Sequence, residues 1–424
     1  MRFLLYASYN ETGIRSSLGK PDYSYWFVQQ YFERLLSAMD ETVVLDDRRK
    51  APKQVNLDEE ALFLFMPPHK IPTELVDSAI PVIAWEFDTV PDEDWDDDFR
   101  NNWYNVLERS PGGITHCGFT ADTVKTRLGR DYPMAMIPSP IWDDFSGLHD
   151  PGRDPLAPWS IDVEGVVVDS RSAHVAENEG RPLDVENPEL DARFEQGNHR
   201  LDFGGVTYSF VFNPTDGRKE WMDAVSAFVD AFEDEPRATL ILKLIQVDLR
   251  RGAPMVWKAI SALGHFACRI VVIQAHLNGS SYDSLISRPT YVLNTSRGEG
   301  QCLPLLESMS TGVPAVSPNH TAMADYVNER NSFVVRFSRR WASWPHDPRS
   351  ALRASTFPVV WESLREKLHE SFECATSDPV SYRTRSTAAF EEMRRFCSLE
   401  STRAAMTQFL EDIRNRRARI TRGS

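Results

Sequence analysis

Along most of the chain, short runs of almost unbroken apolar character alternate with stretches whose apolar residues recur at helical spacing. RFLLYAS (residues 2–8), ETVVL (41–45), ALFLFM (61–66) and PVIAWEF (81–87) have the length and composition of strands, and SYWFVQQYFERLLSAM (24–39) lies between the first two as an amphipathic helix. GGITHCGF, a helical ADTVKTRLG and MAMIPSP carry the alternation to about Pro140. Strands of this kind separated by helices predict a parallel sheet covered on both sides, in one doubly wound domain. A second series starts at Val206: VTYSFVFN, the strongly periodic KEWMDAVSAFVDAF, ATLILKLI, PMVWKAISAL, RIVVIQ, SSYDSLIS, TYVLNTS, PLLESMS, PAVS and SFVVRF. It predicts another parallel α/β unit of similar size. From VVWESLREKLHESF onward the chain reads as helix throughout, and the last helices are expected to run back onto the first domain.

Between Asp143 and Leu201 the periodicity gives way to Pro, Gly, Asp and Glu, as in DPGRDPLAP and AENEGRPLDVENPELD. Such texture marks a connection, so residues 146–204 are expected to be an irregular insertion closing the first domain. The division that follows is 1–204, 205–375 and a helical segment 376–424 that crosses back.

Composition narrows the function. A chain of 424 residues exceeds one ordinary core, and 42% hydrophobic with 26% charged residues is the balance of a soluble globular protein. No membrane-spanning run is present, and the opening MRFLLYASYNETG reads as a first strand rather than a signal peptide. The five cysteines are odd in number and lack a CxxC pair, which suits free thiols in a reducing cytoplasm. A formal charge of −15 argues against tracking nucleic acid, whose phosphates call for clustered Lys and Arg. The one terminal basic run, RNRRARITR (414–422), is either a weak contact for an anionic membrane surface or a solvated helix end.

In doubly wound folds ligands gather in the loops after strands, and three such loops carry chemistry. PTDGRKEW follows VTYSFVFN and places Arg218 and Lys219 where a helix begins. Cations oppose the dipole there, so the pair points to an anionic ligand; a plain turn with exposed cations is the alternative. Lys243 stands inside the apolar ATLILKLI and must either reach solvent or meet an anion. The third loop, RGEGQC, follows TYVLNTS; Gly298 and Gly300 permit close backbone approach, Pro304 suits a helix start and Gly312 its stop. That helix would aim its positive end at a diphosphate, with Glu307 one turn in and Glu299 in the loop. Ordinary helix-terminal acids would look the same.

EGQCLPLLE (299–307), continuing into SMSTGVPAVSPN, resembles the E-x7-E signature of family 4 glycosyltransferases, retaining enzymes of the GT-B fold. The order DGRKEW, strand lysine, this motif and then Asp325 ahead of another strand also matches that family. AWEFDTVPDEDW, ADTVKTRLG and IPSPIW resemble its acceptor-side half, and the likeness covers most of residues 60–145 and 206–335. The resemblance implies two Rossmann-like domains facing across a cleft, transfer of a sugar from a nucleotide diphosphate donor to a glycan or lipid-linked acceptor hydroxyl, and no cofactor or metal. It implies that Arg218 or Lys219, with Lys243, holds the diphosphate, that Glu307 binds the ribose and that Glu299 contacts the transferred sugar. Backbone N–H groups of Gly300, Gln301, Cys302 and Leu303 would line sugar and phosphate. Two departures stand out: only Gly13 is present where the family has Gly-Gly after its first strand, and Gln301-Cys302 replace Phe-Gly.

On the acceptor side, Glu86 and Asp88 end a strand and are candidates to orient or deprotonate a hydroxyl. The acids of PDEDWDDD beyond them read as a solvated loop, and the cations already named would do the work of a DxD-bound metal. His116 and His69 also follow strands, and Trp85, Trp95, Trp103 and Trp142 can stack on a sugar or belong to the core. A nucleotide-sugar epimerase of the same fold and a binding protein without turnover are the alternatives. Neither a GxGxxG after the first strand nor a GxxxxGK[ST] loop is present, which sets aside dehydrogenases and P-loop hydrolases.

Overall fold

The computed structural model describes residues 1–9, 22–173, 192–277, 279–344, 347 and 349–423; Gly13 lies outside these residues. The first domain runs β1 (Arg2–Ala7), α1 (Ser24–Ser37), β2 (Thr42–Val44), β3 (Glu60–Phe65), β4 (Ala79–Ile83), α2 (Trp103–Arg109), β5 (Gly113–Thr115), α3 (Gly118–Leu128) and β6 (Met134–Met136). Its six strands form one parallel sheet in the order β2-β1-β3-β4-β5-β6. Leu62, Phe63, Leu64 and Phe65 in succession are fully buried, as a central strand covered on both faces requires. Val28, Phe32, Leu35 and Leu36, at helical spacing, lay α1 onto that core.

The second sheet receives β7 (Trp159–Asp169), β8 (Gln196–Phe203), β9 (Val206–Phe212), β10 (Ala238–Leu244), β11 (Arg269–Ala275), β12 (Tyr291–Leu293), β13 (Ala315–Ser317) and β14 (Ser332–Val334). Its order is β14-β13-β12-β9-β10-β11-β7-β8, parallel except at β7 and β8. Among the helices around it are α4 (Trp221–Phe232), α5 (Ala253–Ser261), α6 (Gly279–Ser287) and α7 (Leu303–Ser310). A two-stranded hairpin of β15 (Arg340–Ser343) and β16 (Arg353–Thr356) precedes α8 (Trp361–Ser377), α9 (Pro379–Cys397) and α10 (Leu399–Gly423).

The described part of residues 146–204 differs from the irregular first-domain insertion expected of it. Their strands β7 and β8 pair from Trp159 opposite Phe203 to Val166 opposite Gln196, and β7 continues the second sheet against β11. Ile161 and Val163 face inward while Asp162 and Glu164 face out, the alternation of an edge hairpin rather than the continuous run of a buried strand. Gly165 lets β7 approach closely, since a Cβ there would lie 2.6 Å from that of Ala275.

The last helix does return to the first domain: Met406, Phe409, Leu410 and Ile413 of α10 join its core. The basic run at its end is largely engaged. Arg414 donates to Leu57 O, Arg416 to the carbonyls of Ser110 and Pro111, and Arg417 to Val55 O, so these cations fasten the helix to the first domain. Among the described residues, no helix is long and apolar enough to cross a membrane.

Candidate functional site

The parallel part of the second sheet reverses its winding between β9 and β12, and the loops after these two strands lie side by side at the carboxyl end. That reversal is where open α/β sheets hold ligands. Thr295 Oγ1 donates to Lys219 O at 2.8 Å and Arg297 N to Arg218 O at 2.9 Å, lacing the two loops together. Arg218 and Lys219 do not stand on the first turn of α4, as expected, but on a separate 3-10 turn, Gly217–Lys219, capped by the Asp216 carboxylate. Glu220, in the left-handed conformation at φ 45°, then redirects the chain into α4.

The loop after β12 leads into α7, whose first turn contains Pro304 and whose end is marked by Gly312 at φ +84°. Gly300 is small for a reason beyond the approach to a ligand expected of it. A Cβ on Gly300 would lie 2.9 Å from Trp85 N, a close approach to first-domain backbone, whereas one on Gly298 would make only an ordinary contact, 3.4 Å from Glu86 O. Cys302 caps α7 in the left-handed region at φ 65°, a strained conformation for a non-glycine residue.

Here the expected donor-side residues converge. Arg218 Nη1 lies 2.5 Å from Glu86 Oε1 across the cleft, and its Nη2 lies 2.8 Å from Asp216 Oδ2. Lys219 Nζ pairs with Glu299. Burial pushes the Glu86 carboxyl up to about 7 in spite of Arg218, with Glu299 and Asp216 adding to the rise. Lys243, buried in β10, is pushed down to about 8 by its burial, partly offset by Glu307. Among the described residues Lys243 has no hydrogen-bond partner. Glu307 accepts from Tyr31 of α1 at 3.2 Å and from Tyr282 of α6, and burial raises its pKa although both hydroxyls act the other way. Tyr31, Tyr282 and Tyr23 were not singled out in the sequence; Tyr23 is pushed up to about 12 by burial among Lys219, Glu299, Asp216 and Arg218.

The remaining candidates are placed elsewhere. Asp88 accepts from Ser355 N at 2.7 Å and Arg339 Nη2 at 2.9 Å, tying the first domain to the hairpin instead of standing free beside Glu86. Burial opposes its ionisation, but these two donors hold its pKa below the usual value. His69 accepts from Trp103 Nε1 at 3.1 Å, stacks on that ring and is pushed down to about 4 by burial. It is a neutral member of an aromatic cluster with Trp85 and Trp344, the latter carried in from the second domain. His116 is equally neutral, pushed to about 4 by burial, with Nδ1 3.0 Å from Ile137 O and its ring against Phe32. Asp325 accepts from Gly118 N at 2.8 Å and so caps α3 from across the cleft. Of the acidic loop, Glu93 pairs with Arg349 and Asp94 accepts from Asn105.

Beside this site, a cavity of about 370 Å³ opens between the two domains, walled by Asp88, Tyr104, Phe119 and Asp122 of the first and Leu352 of the hairpin. Its volume is that of an ordinary small-ligand pocket, which spans roughly 300–1,000 Å³.

No protein-family model matches the chain, and no curated protein sequence does. Solved structures do share its fold over nearly the whole length. A glycosyltransferase from Rickettsia africae ESF-5 is 11% identical, with 97% of this chain and 98% of that one aligned at a TM-score of 0.54. HepE of Anabaena, in complex with UDP, is also 11% identical over 97% and 100% of the chains at 0.53. The N-terminal domain of trehalose-6-phosphate phosphatase from Candida albicans reaches 0.51 at 11% identity over 97% of each chain. The architecture is thus the GT-B fold, two Rossmann-like domains with a C-terminal helical segment packed back on the first.

Proposed function

We propose that the chain is a retaining glycosyltransferase that moves a sugar from a nucleotide diphosphate donor to an acceptor hydroxyl. The observation that carries this reading is the convergence of Arg218, Lys219 and the N-terminus of α7 at the reversal between β9 and β12, with Lys243 and Glu307 behind them. Departure of a nucleoside diphosphate from the anomeric carbon builds charge on the leaving phosphate, and fixed cations with helix N–H groups stabilise it as it forms. Arg218 and Lys219 would exchange Glu86 and Glu299 for phosphate oxygens, and Glu307 would exchange tyrosine hydroxyls for a ribose diol. Glu299, released from Lys219, is then free to meet the transferred sugar, and Glu86 is the first-domain acid placed at the donor loops. The cavity beside Asp88 is the place for the acceptor, of glycan or lipid-linked type. Because the cations already neutralise the diphosphate, turnover is expected to survive EDTA.

HepE has been crystallised with UDP, with UDP and glucose, and with UDP-glucose, which makes uridine nucleotides the first donors to test. A thermal-shift screen of nucleotide sugars, followed by product analysis with simple glycosides, tests the proposal. Release of nucleoside diphosphate with a product of unchanged anomeric configuration supports it. An isomerised nucleotide sugar would mean an epimerase, and donor binding without release in any combination would mean a binding protein.

A further inference from the structure

Gln301 is only 5% exposed, yet among the described residues one end of its side-chain amide has no partner. Ser139, in the loop after β6 of the first domain, donates its hydroxyl to Oε1 at 3.1 Å; the buried Nε2 is left bare. Turning the amide over does not remove the deficit, because Ser139 would then accept from Nε2 and leave Oε1 unmet. A buried polar group without a partner costs roughly 1–3 kcal/mol, which a ligand group that met this one would recover.

The loop gives the side chain no other course. Gly300 is pressed against the backbone of Ala84 and Trp85, the Tyr326 hydroxyl holds Gln301 O at 3.0 Å, and Cys302 is locked in the left-handed region. On the opposite wall, Ile137 O takes the His116 ring nitrogen, which steadies the same short loop that carries Ser139. The amide is therefore held at the entrance of α7, two residues after Glu299, with donor-site residues on either side.

We propose that the Gln301 side chain reads a hydroxyl of the sugar being transferred, and so sets which nucleotide sugars this chain accepts. This inference rests on the glycosyltransferase reading above. A hydroxyl both donates and accepts, so it completes the amide whichever way the amide is turned, whereas a deoxy position leaves it unmet. The backbone N–H of the loop is unaffected by the choice of side chain, which separates this role from phosphate binding.

The test is Gln301→Met, which keeps the length and volume of the side chain but removes its polar end. The variant also takes away the acceptor of the fully buried Ser139 hydroxyl, so its melting temperature without ligand is expected to stay near or slightly below that of wild type. Its Kd for UDP-glucose is expected to rise about tenfold, the equivalent of 1.4 kcal/mol, with the Kd for UDP unchanged. Gln301→Asn, which keeps the amide but shortens its reach, is expected to lose UDP-glucose affinity with no gain in melting temperature. Equal loss for UDP and UDP-glucose, or no loss for either, would overturn the inference while leaving the glycosyltransferase reading intact. Failure of the wild-type protein to bind any of a panel of nucleotide sugars would overturn both.

Discussion

Glu86→Gln isolates the one carboxyl of the site whose titration falls near neutrality. Burial raises Glu86 from 4.5 to about 7, and the difference corresponds to about 3 kcal/mol at roughly 1.36 kcal/mol for each pH unit. Below pH 4.5 the group is protonated in both folded and unfolded chains and contributes nothing. Between 4.5 and about 7 the folded chain holds a proton that the unfolded chain has lost, so folding stability declines as pH rises; above about 7 the full cost persists. Glutamine has the same shape, stays neutral and still accepts from Arg218. The variant should therefore match wild type near pH 4.5 and exceed it increasingly up to pH 8. In a chain of 424 residues, about 3 kcal/mol amounts to a melting-temperature difference of about 3–4 °C.

Scanning calorimetry of both proteins at half-unit pH intervals reads this difference directly, since every other titrating group cancels in the comparison. A second readout is donor binding. An anion arriving at Arg218 raises the Glu86 pKa further, so binding takes up a proton and wild-type affinity for UDP-glucose should fall as pH passes above 7. The variant should hold its affinity until about pH 8, where Lys243 begins to lose its charge. A stability difference that does not change with pH, or one that favours wild type at pH 8, would refute the assignment of a destabilised carboxylate at this position.

Lys243→Met removes a cation whose pKa is lowered by burial to about 8, so at pH 7 the variant should be as stable as wild type or more so in thermal unfolding. It should lose roughly 10–100-fold in UDP-glucose affinity by calorimetry, the value of a charge-assisted hydrogen bond of about 1.5–3 kcal/mol. Glu307→Gln should lose a similar factor in the same assay while its melting temperature stays near that of wild type; unchanged affinity would exclude the ribose role. Gly300→Ala introduces a Cβ 2.9 Å from Trp85 N, so the loop or the facing backbone must give and thermal unfolding should come at a lower temperature without loss of secondary structure. Trp344→Ala takes one ring out of the cluster with Trp85 and Trp103 and should destabilise the interdomain contact by about 2 kcal/mol in urea unfolding.

The parallel strands were legible because both of their faces are buried, which writes a continuous apolar run such as ALFLFM into the sequence. Pro304 and Gly312 announced the limits of α7 because each answers a local backbone demand. Strand β7, which lies between β11 and the edge strand β8, carries only the weaker alternation of one buried face, broken by Gly165, and was hidden in a segment rich in Pro and Asp. The hairpin β15–β16 is four residues to a strand and mostly polar, so its place on the first domain follows from tertiary contacts alone. The same holds for the pairing of the site. Tyr31 meets Glu307, and Arg339 meets Asp88, over separations of 276 and 251 residues, which local spacing cannot convey. Asp88 and Glu86, two positions apart and equivalent by sequence, acquire different roles because only Glu86 faces Arg218.

The contacts that hold the domains together fall into two sets with different fates during binding. Arg218 with Glu86 and Glu307 with Tyr31 join the domains through groups that the proposed donor would use. Asp325 at the start of α3, Asp88 with Ser355 and Arg339, and Trp344 among the first-domain aromatics join them through groups the donor does not need. A nucleotide sugar can therefore replace the first set while the second keeps the cleft closed around it. The affinity then depends on an exchange at each group rather than on the sum of new contacts: at Arg218, a diphosphate against a carboxylate that burial has already weakened as an anion. Raising the Glu86 pKa to about 7 lowers the cost of that exchange, which gives the destabilised acid a use in the binding step.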